Sequence, residues 1–159
     1  MRKVTLALMG IACLAALTLT GFGQQSSVGD QVIAMVKAQW AAEIKDPTNV
    51  AEHMKNIADD YTEFNGDYAT RLEGKALNMR LAEAGGVSSI RTLAGEMANA
   101  KVQVYNDDVA ILSYNYVGIL KDKDGKTEPS RAKSTRVYVK QNGKWMMVHA
   151  NFGADPLPK

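Results

Sequence analysis

Lys133-Ser-Thr-Arg-Val-Tyr-Val-Lys-Gln-Asn-Gly-Lys-Trp-Met-Met-Val-His149 reads as two β-strands joined by a two-residue turn. Asn-Gly between runs rich in β-branched and aromatic residues is the strongest short hairpin signal, because both central positions need a positive φ. Counting outward from Asn142 and Gly143 pairs Gln141 with Lys144, Lys140 with Trp145, Tyr138 with Met147, Arg136 with His149, and Ser134 with Asn151. From Lys140–Trp145 on, the pairs with Tyr138, Arg136 and Ser134 share one side of the sheet. The other side carries Thr135, Val137, Val139, Met146, Val148 and Ala150, which is almost wholly apolar. On pattern alone, the apolar side is core and the polar side meets water.

Upstream, Val109 to Leu120 is nearly continuous in apolar and aromatic residues and reads as a central strand covered on both faces. Val102 and Val104 alternate with polar residues before a turn at Asn106-Asp107. The charged run Lys121-Asp-Lys-Asp-Gly-Lys126 is a solvated hairpin loop, too short and too rich in Lys for a calcium site. The first half is helical. Val32, Ile33, Val36, Trp40 and Ile44 recur at helical spacing from Asp30, and Asp46-Pro47 stops that helix. Val50, Met54 and Ile57 give a second, shorter helix its buried stripe, with Asp59-Asp60 capping and solvating its end. Asn65-Gly66-Asp67 is a turn. A third helix from about Glu73 to Ala84, with Leu77, Leu81 and Ala84 inward, ends at Gly85-Gly86. Helices first and a meander after them predict an α+β fold, with helices on one face of a mostly antiparallel sheet.

The N-terminus points to export. Arg2 and Lys3 precede an uncharged apolar stretch, Val4 to Thr20, and Gly21-Phe22-Gly23 places small residues where a signal peptidase accepts them. The expected division is a signal peptide at 1–23, a short linker at 24–29, one domain at 30–154 and a loose tail at 155–159. The expected location is periplasmic or secreted, with no membrane association once the signal is removed. An uncleaved anchor and a lipoprotein acylated at Cys13 are the alternatives. The chain carries 19 Lys+Arg against 17 Asp+Glu, and Arg2 and Lys3 account for the excess. A neutral remainder without a basic run gives nucleic acid no footing. Cys13 is the single cysteine, so the exported part can form neither a disulfide nor a thiolate metal site. His53 and His149 stand too far apart in sequence to argue for zinc, and neither a metal nor a cofactor is expected. The scattered methionines read as core filler, and Trp145 as packing beside the turn.

The hairpin, its continuation Ala150-Asn-Phe-Gly-Ala-Asp-Pro156, the stretch Val102-Gln-Val-Tyr-Asn-Asp-Asp-Val-Ala-Ile-Leu-Ser-Tyr114, and Trp40 on a long first helix resemble the nuclear-transport-factor-2-like superfamily. Within it they are most similar to the SnoaL-like proteins and to the association domain of calcium/calmodulin-dependent kinase II. The resemblance implies a cone, in which a strongly curved sheet wraps the long helix and leaves a cavity at its wide end. It also implies that Arg136, His149 and Asn151 look into that cavity, joined by Tyr114 and Tyr116 from the central strand and by Trp40. The opposite sheet face would then pair two copies as a homodimer. The sequence departs from the kinase domain, which has Arg where Tyr116 stands and typically a second His and a Ser where Asn151 and Gly153 stand.

Function in this superfold is decided by the pocket. One guanidinium can take a carboxylate in bidentate fashion, so Arg136 points to a small, partly apolar anion, with His149 able to change charge near neutral pH. The plainer reading is a cross-strand Arg136–His149 contact facing water. A non-catalytic small-molecule-binding domain is the first expectation. An isomerase or lyase of ketosteroid-isomerase or polyketide-cyclase type, with His149 as base and Tyr116 as donor, is the second; Asp59, Asp60 and Asp67 are its weaker acidic candidates. A structural homo-oligomerisation module is the third.

Overall fold

A computed structural model describes residues 27–66, 68–85 and 90–155. The expected signal peptide, Asp67 and the last four residues lie outside them. Helix α1 (Val28–Lys45) begins within the expected linker because Ser27 and Asp30 cap it reciprocally: the Ser27 hydroxyl accepts from the Asp30 amide, and Asp30 accepts from the Ser27 amide. Asp46 ends it, as expected. Val32 and Val36 form its fully buried stripe, while Ile44 is exposed. Among the described residues no helix is long and apolar enough to cross a membrane.

The second predicted helix is cut short. Helix α2 is only Val50–His53, and strand β1 (Ile57–Phe64) begins where the helical stripe was expected to continue. Val50, Met54 and Ile57 are all buried as predicted. The spacing is honoured by one helical turn followed by a strand. Asp59 and Asp60 therefore cap nothing; they are exposed where β1 bulges against its neighbour. After the short strand β2 (Leu72–Glu73), helix α3 covers Lys75–Gly85, with Leu77 and Leu81 partly buried and Ala84 exposed, against expectation.

Strands β3 (Arg91–Tyr105), β4 (Val109–Lys121), β5 (Thr127–Gln141) and β6 (Lys144–Ala154) form the meander. The six strands make one sheet in the order β2-β1-β6-β5-β4-β3, antiparallel except where β1 runs parallel to β6. The α+β class and the helix-backed curved sheet are as predicted. Strand β4 is not covered on both faces: Ala110, Leu112, Tyr114 and Gly118 are buried, whereas Val117 and Ile119 are exposed. Helix α1 packs on β3 and β4, and the core gathers Val32, Val36, Leu112, Tyr61 and Tyr138 between helix and sheet. The expected loose tail starts in an ordered way, since Asp155 meets Lys133 Nζ at 3.4 Å and accepts from Asn115 Nδ2 at 3.2 Å.

The last hairpin carries the main surprise. Asn142 and Gly143 have φ of 51° and 77°, as the turn requires, and the pairs from Gln141–Lys144 through Tyr138–Met147 follow the predicted register. Between Tyr138 and Val137 the register shifts by one: Val137 pairs with His149, Arg136 with Ala150, Thr135 with Asn151 and Ser134 with Phe152. Val148 is the extra residue of a β-bulge. Because side chains alternate at period two, a single inserted residue exchanges the faces of everything beyond it on β6.

Candidate ligand-binding site

The bulge divides the predicted site. Arg136 faces the concave side, in one cross-strand row with Val102, Leu112, Ala150 and Glu63. His149 sits in the neighbouring row with Thr62, Val137 and Ile111, on the convex side. Its Nδ1 lies 2.9 Å from Thr62 Oγ1 and its ring meets Phe64 edge-on at 6.1 Å, so it ties β1 to β6 from outside. Asn151 follows it outward and lines a separate, more open hollow of about 450 Å3 with Thr135 and Asn99. Neither His149 nor Asn151 belongs to the cavity, and the predicted Arg136–His149 pair does not form.

The remaining predicted residues do converge. Trp40 projects from α1 and meets Tyr114 edge-on at 5.7 Å and Tyr116 at 5.4 Å. The Arg136 guanidinium lies 6.0 Å from the Trp40 ring centre, 5.8 Å from Tyr114 and 5.4 Å from Phe152. Its Nη1 donates to Gln39 Oε1 at 3.0 Å, while its Nε is buried without a hydrogen-bond partner. Burial works against the charge, but the surrounding Tyr114, Tyr138 and Tyr61 outweigh it, and Arg136 stays protonated. A guanidinium that is 5 % exposed is costly to keep unless rings and acceptors compensate it.

A glycine pair makes the room for Tyr116. Gly95 and Gly118 face each other across β3 and β4, and the Tyr116 ring lies over both. A Cβ on Gly118 would stand 2.1 Å from the Tyr116 hydroxyl, and one on Gly95 would stand 2.8 Å from the ring. Burial raises the Tyr116 hydroxyl above the usual tyrosine range.

Two adjoining cavities, of about 650 Å3 and about 440 Å3, share Glu43, Ile44, Glu63, Thr92, Arg136 and Phe152 in their walls; of the two carboxylates Glu63 is buried and Glu43 exposed. The first opens towards His53, whose Nε2 donates to the Asp46 carbonyl at 2.8 Å. Glu63 is the residue that sequence reasoning missed. It is buried and held by neutral donors: the Tyr61 hydroxyl at 2.7 Å, Asn78 Nδ2 at 3.3 Å, and Asn65. Burial, with the Glu63 carboxylate next, pushes the Tyr61 hydroxyl far above its ordinary range. The alternation Tyr61-Thr62-Glu63-Phe64 was the available signal, hidden because the preceding apolar spacing fits a helix equally well. Among the described residues no three His, Cys, Asp or Glu side chains are grouped to hold a metal ion.

Comparison with known proteins agrees with this architecture. The family model of the calcium/calmodulin dependent protein kinase II association domain matches residues 29–156. A Xanthomonas campestris structure assigned to that association domain superposes with a TM-score of 0.70 at 22% identity, covering 82% of this chain and 90% of its own. The hub homology domain of that kinase from Chlamydomonas reinhardtii gives 0.68 at 20% identity, over 82% of this chain and 100% of its own. A Parabacteroides distasonis protein assigned as a ketosteroid isomerase gives 0.66 at 16% identity, over 82% and 89%. No curated protein sequence matches the chain.

Proposed function

The chain belongs to the calcium/calmodulin dependent protein kinase II association domain family, and we propose that this member is a non-catalytic domain that binds a small, partly apolar carboxylate through Arg136. The observation that carries this reading is the Arg136 guanidinium, buried in the cavity wall among Trp40, Tyr114 and Phe152 with Nε left bare. A carboxylate in the cavity would give the guanidinium its counter-ion, while the rings supply apolar surface for the rest of the ligand. A thermal-shift screen of aliphatic and aromatic carboxylic acids tests it. Wild type should be stabilised by some of them and Arg136→Met by none; equal responses would remove Arg136 from the site.

Two companion readings stand beside it. The convex sheet face presents Tyr105, Val109, Val139 and Met146 in one row and Ile111 and Val137 in the next, and a second copy of the chain would cover them as a homodimer. Hub domains of the kinase are the structural relatives that support assembly, and native mass spectrometry would give the subunit number. Residues 1–23 would direct export, leaving Gln24 as the new N-terminus of the secreted protein, which the intact mass reads directly. An isomerase reading would need a base other than His149, which lies across the sheet from Tyr116 and the cavity.

A further inference from the structure

Glu63 and Arg136 are buried charges of opposite sign in the same cavity walls, and among the described residues neither has a charged partner. Their spacing is set by the sheet. Ala150 pairs with Glu63 on one side and with Arg136 on the other, so the two backbones stand about 10 Å apart with only a methyl group between them. Any larger residue at 150 would fill that gap. The two groups are also incompletely satisfied by the protein. Arg136 Nε has no partner. Of the two carboxylate oxygens, Oε2 accepts from Tyr61 and Asn78, whereas Oε1 accepts from Asn65 and each oxygen can take about two bonds.

Two desolvated, opposite, unpaired charges facing one space are best compensated by an occupant that brings both complements. We infer that Glu63 is the second pole of the site: the occupant is a short-chain amino acid whose carboxylate lies on Arg136, whose ammonium lies on Glu63, and whose carbon chain spans the floor at Ala150 beside Phe152. This rests on the anion-binding reading above and adds its substrate class. Tyr61, Asn65 and Asn78 act here as positioning residues, holding the carboxylate with neutral donors so that its charge is left for the ligand.

Calorimetric titration of the purified protein with glycine, β-alanine and longer ω-amino acids, each beside the n-alkanoate of equal length, tests the inference. At least one ω-amino acid should bind about tenfold tighter than its alkanoate, the size of one charge-assisted contact. Glu63→Gln should bring the two to within about twofold of each other. N-acetylation of the ligand should do the same on wild type, so the outcome does not depend on how well the variant folds. Equal binding of ω-amino acid and alkanoate, both abolished in Arg136→Met, would overturn the second pole and leave the anion reading intact. Absence of binding by every carboxylate would overturn both.

Discussion

The two halves of the last hairpin were read by the same rule and came out differently. Near the turn, from Gln141–Lys144 to Tyr138–Met147, pairing follows from counting outward, because Asn142-Gly143 fixes the geometry at its origin. Beyond Val148 every pair is displaced by one and every β6 side chain changes face. A turn specifies register only as far as the ladder is regular. The bulge has a physical motive in what it sorts. It puts Ala150 and Phe152 on the concave side beside Arg136 and leaves the polar His149 and Asn151 outside.

The most drastic way to break this difference is to insert one alanine after Val148. The added residue would take the place opposite Val137, so His149 and Asn151 would face the core and Ala150 and Phe152 would leave it. The melting temperature should fall by on the order of 10 °C or more, with loss of cooperativity. Retention of the wild-type melt in differential scanning calorimetry would show that the sorting of faces beyond the bulge is dispensable.

A change on the concave side that leaves register alone comes next. Gly118→Ala puts a methyl into the Tyr116 ring and should cost about 1–3 kcal/mol. Trp40, 5.4 Å from that ring, should report it as altered fluorescence. In a Tyr116→Ala background the same substitution should cost much less; an unchanged cost in that double-mutant cycle would mean the ring is not the obstacle.

The tyrosines sharpen the contrast between buried and open rings. Tyr61, Tyr116 and Tyr138 are all raised above 10.0, each chiefly by burial. As pH rises past that value the unfolded chain releases protons that the folded one keeps. Their contribution is therefore complete below about pH 10 and declines above it. Ultraviolet titration of the folded protein should show these three still un-ionised above pH 10. Phenylalanine at 61 or 138 should flatten the alkaline fall in stability.

On the convex side the smallest effect is expected. His149→Ala removes the contact to Thr62 and should cost about 1 kcal/mol, the worth of one hydrogen bond, with no change in the cavity.

What could be read from the chain itself follows the same division. The α+β class, the first helix and its stop and the Asn142-Gly143 turn were legible because periodicity and turn chemistry are local, whereas Arg136, Tyr114, Tyr116 and Trp40 on the concave side were implied by the family resemblance, the pattern alone turning the Arg136 face to water. The bulge was not, since Met146-Met147-Val148 offers no residue that marks an insertion. Strand β1 was missed because Val50, Met54 and Ile57 keep helical spacing across a helix end, and Glu63 went unseen with it. Both misses arise from tertiary pairing: β1 is held by parallel contact with β6, a partner far along the chain.

Titration of a short n-alkanoate into wild type, Arg136→Met and His149→Ala, followed by calorimetry, tests the central claim most directly. With Arg136 inside the cavity and His149 outside it, binding should vanish in Arg136→Met and persist within about twofold in His149→Ala. Loss of binding in His149→Ala, or its survival in Arg136→Met, would contradict the division of the hairpin into a concave half that recognises and a convex half that does not.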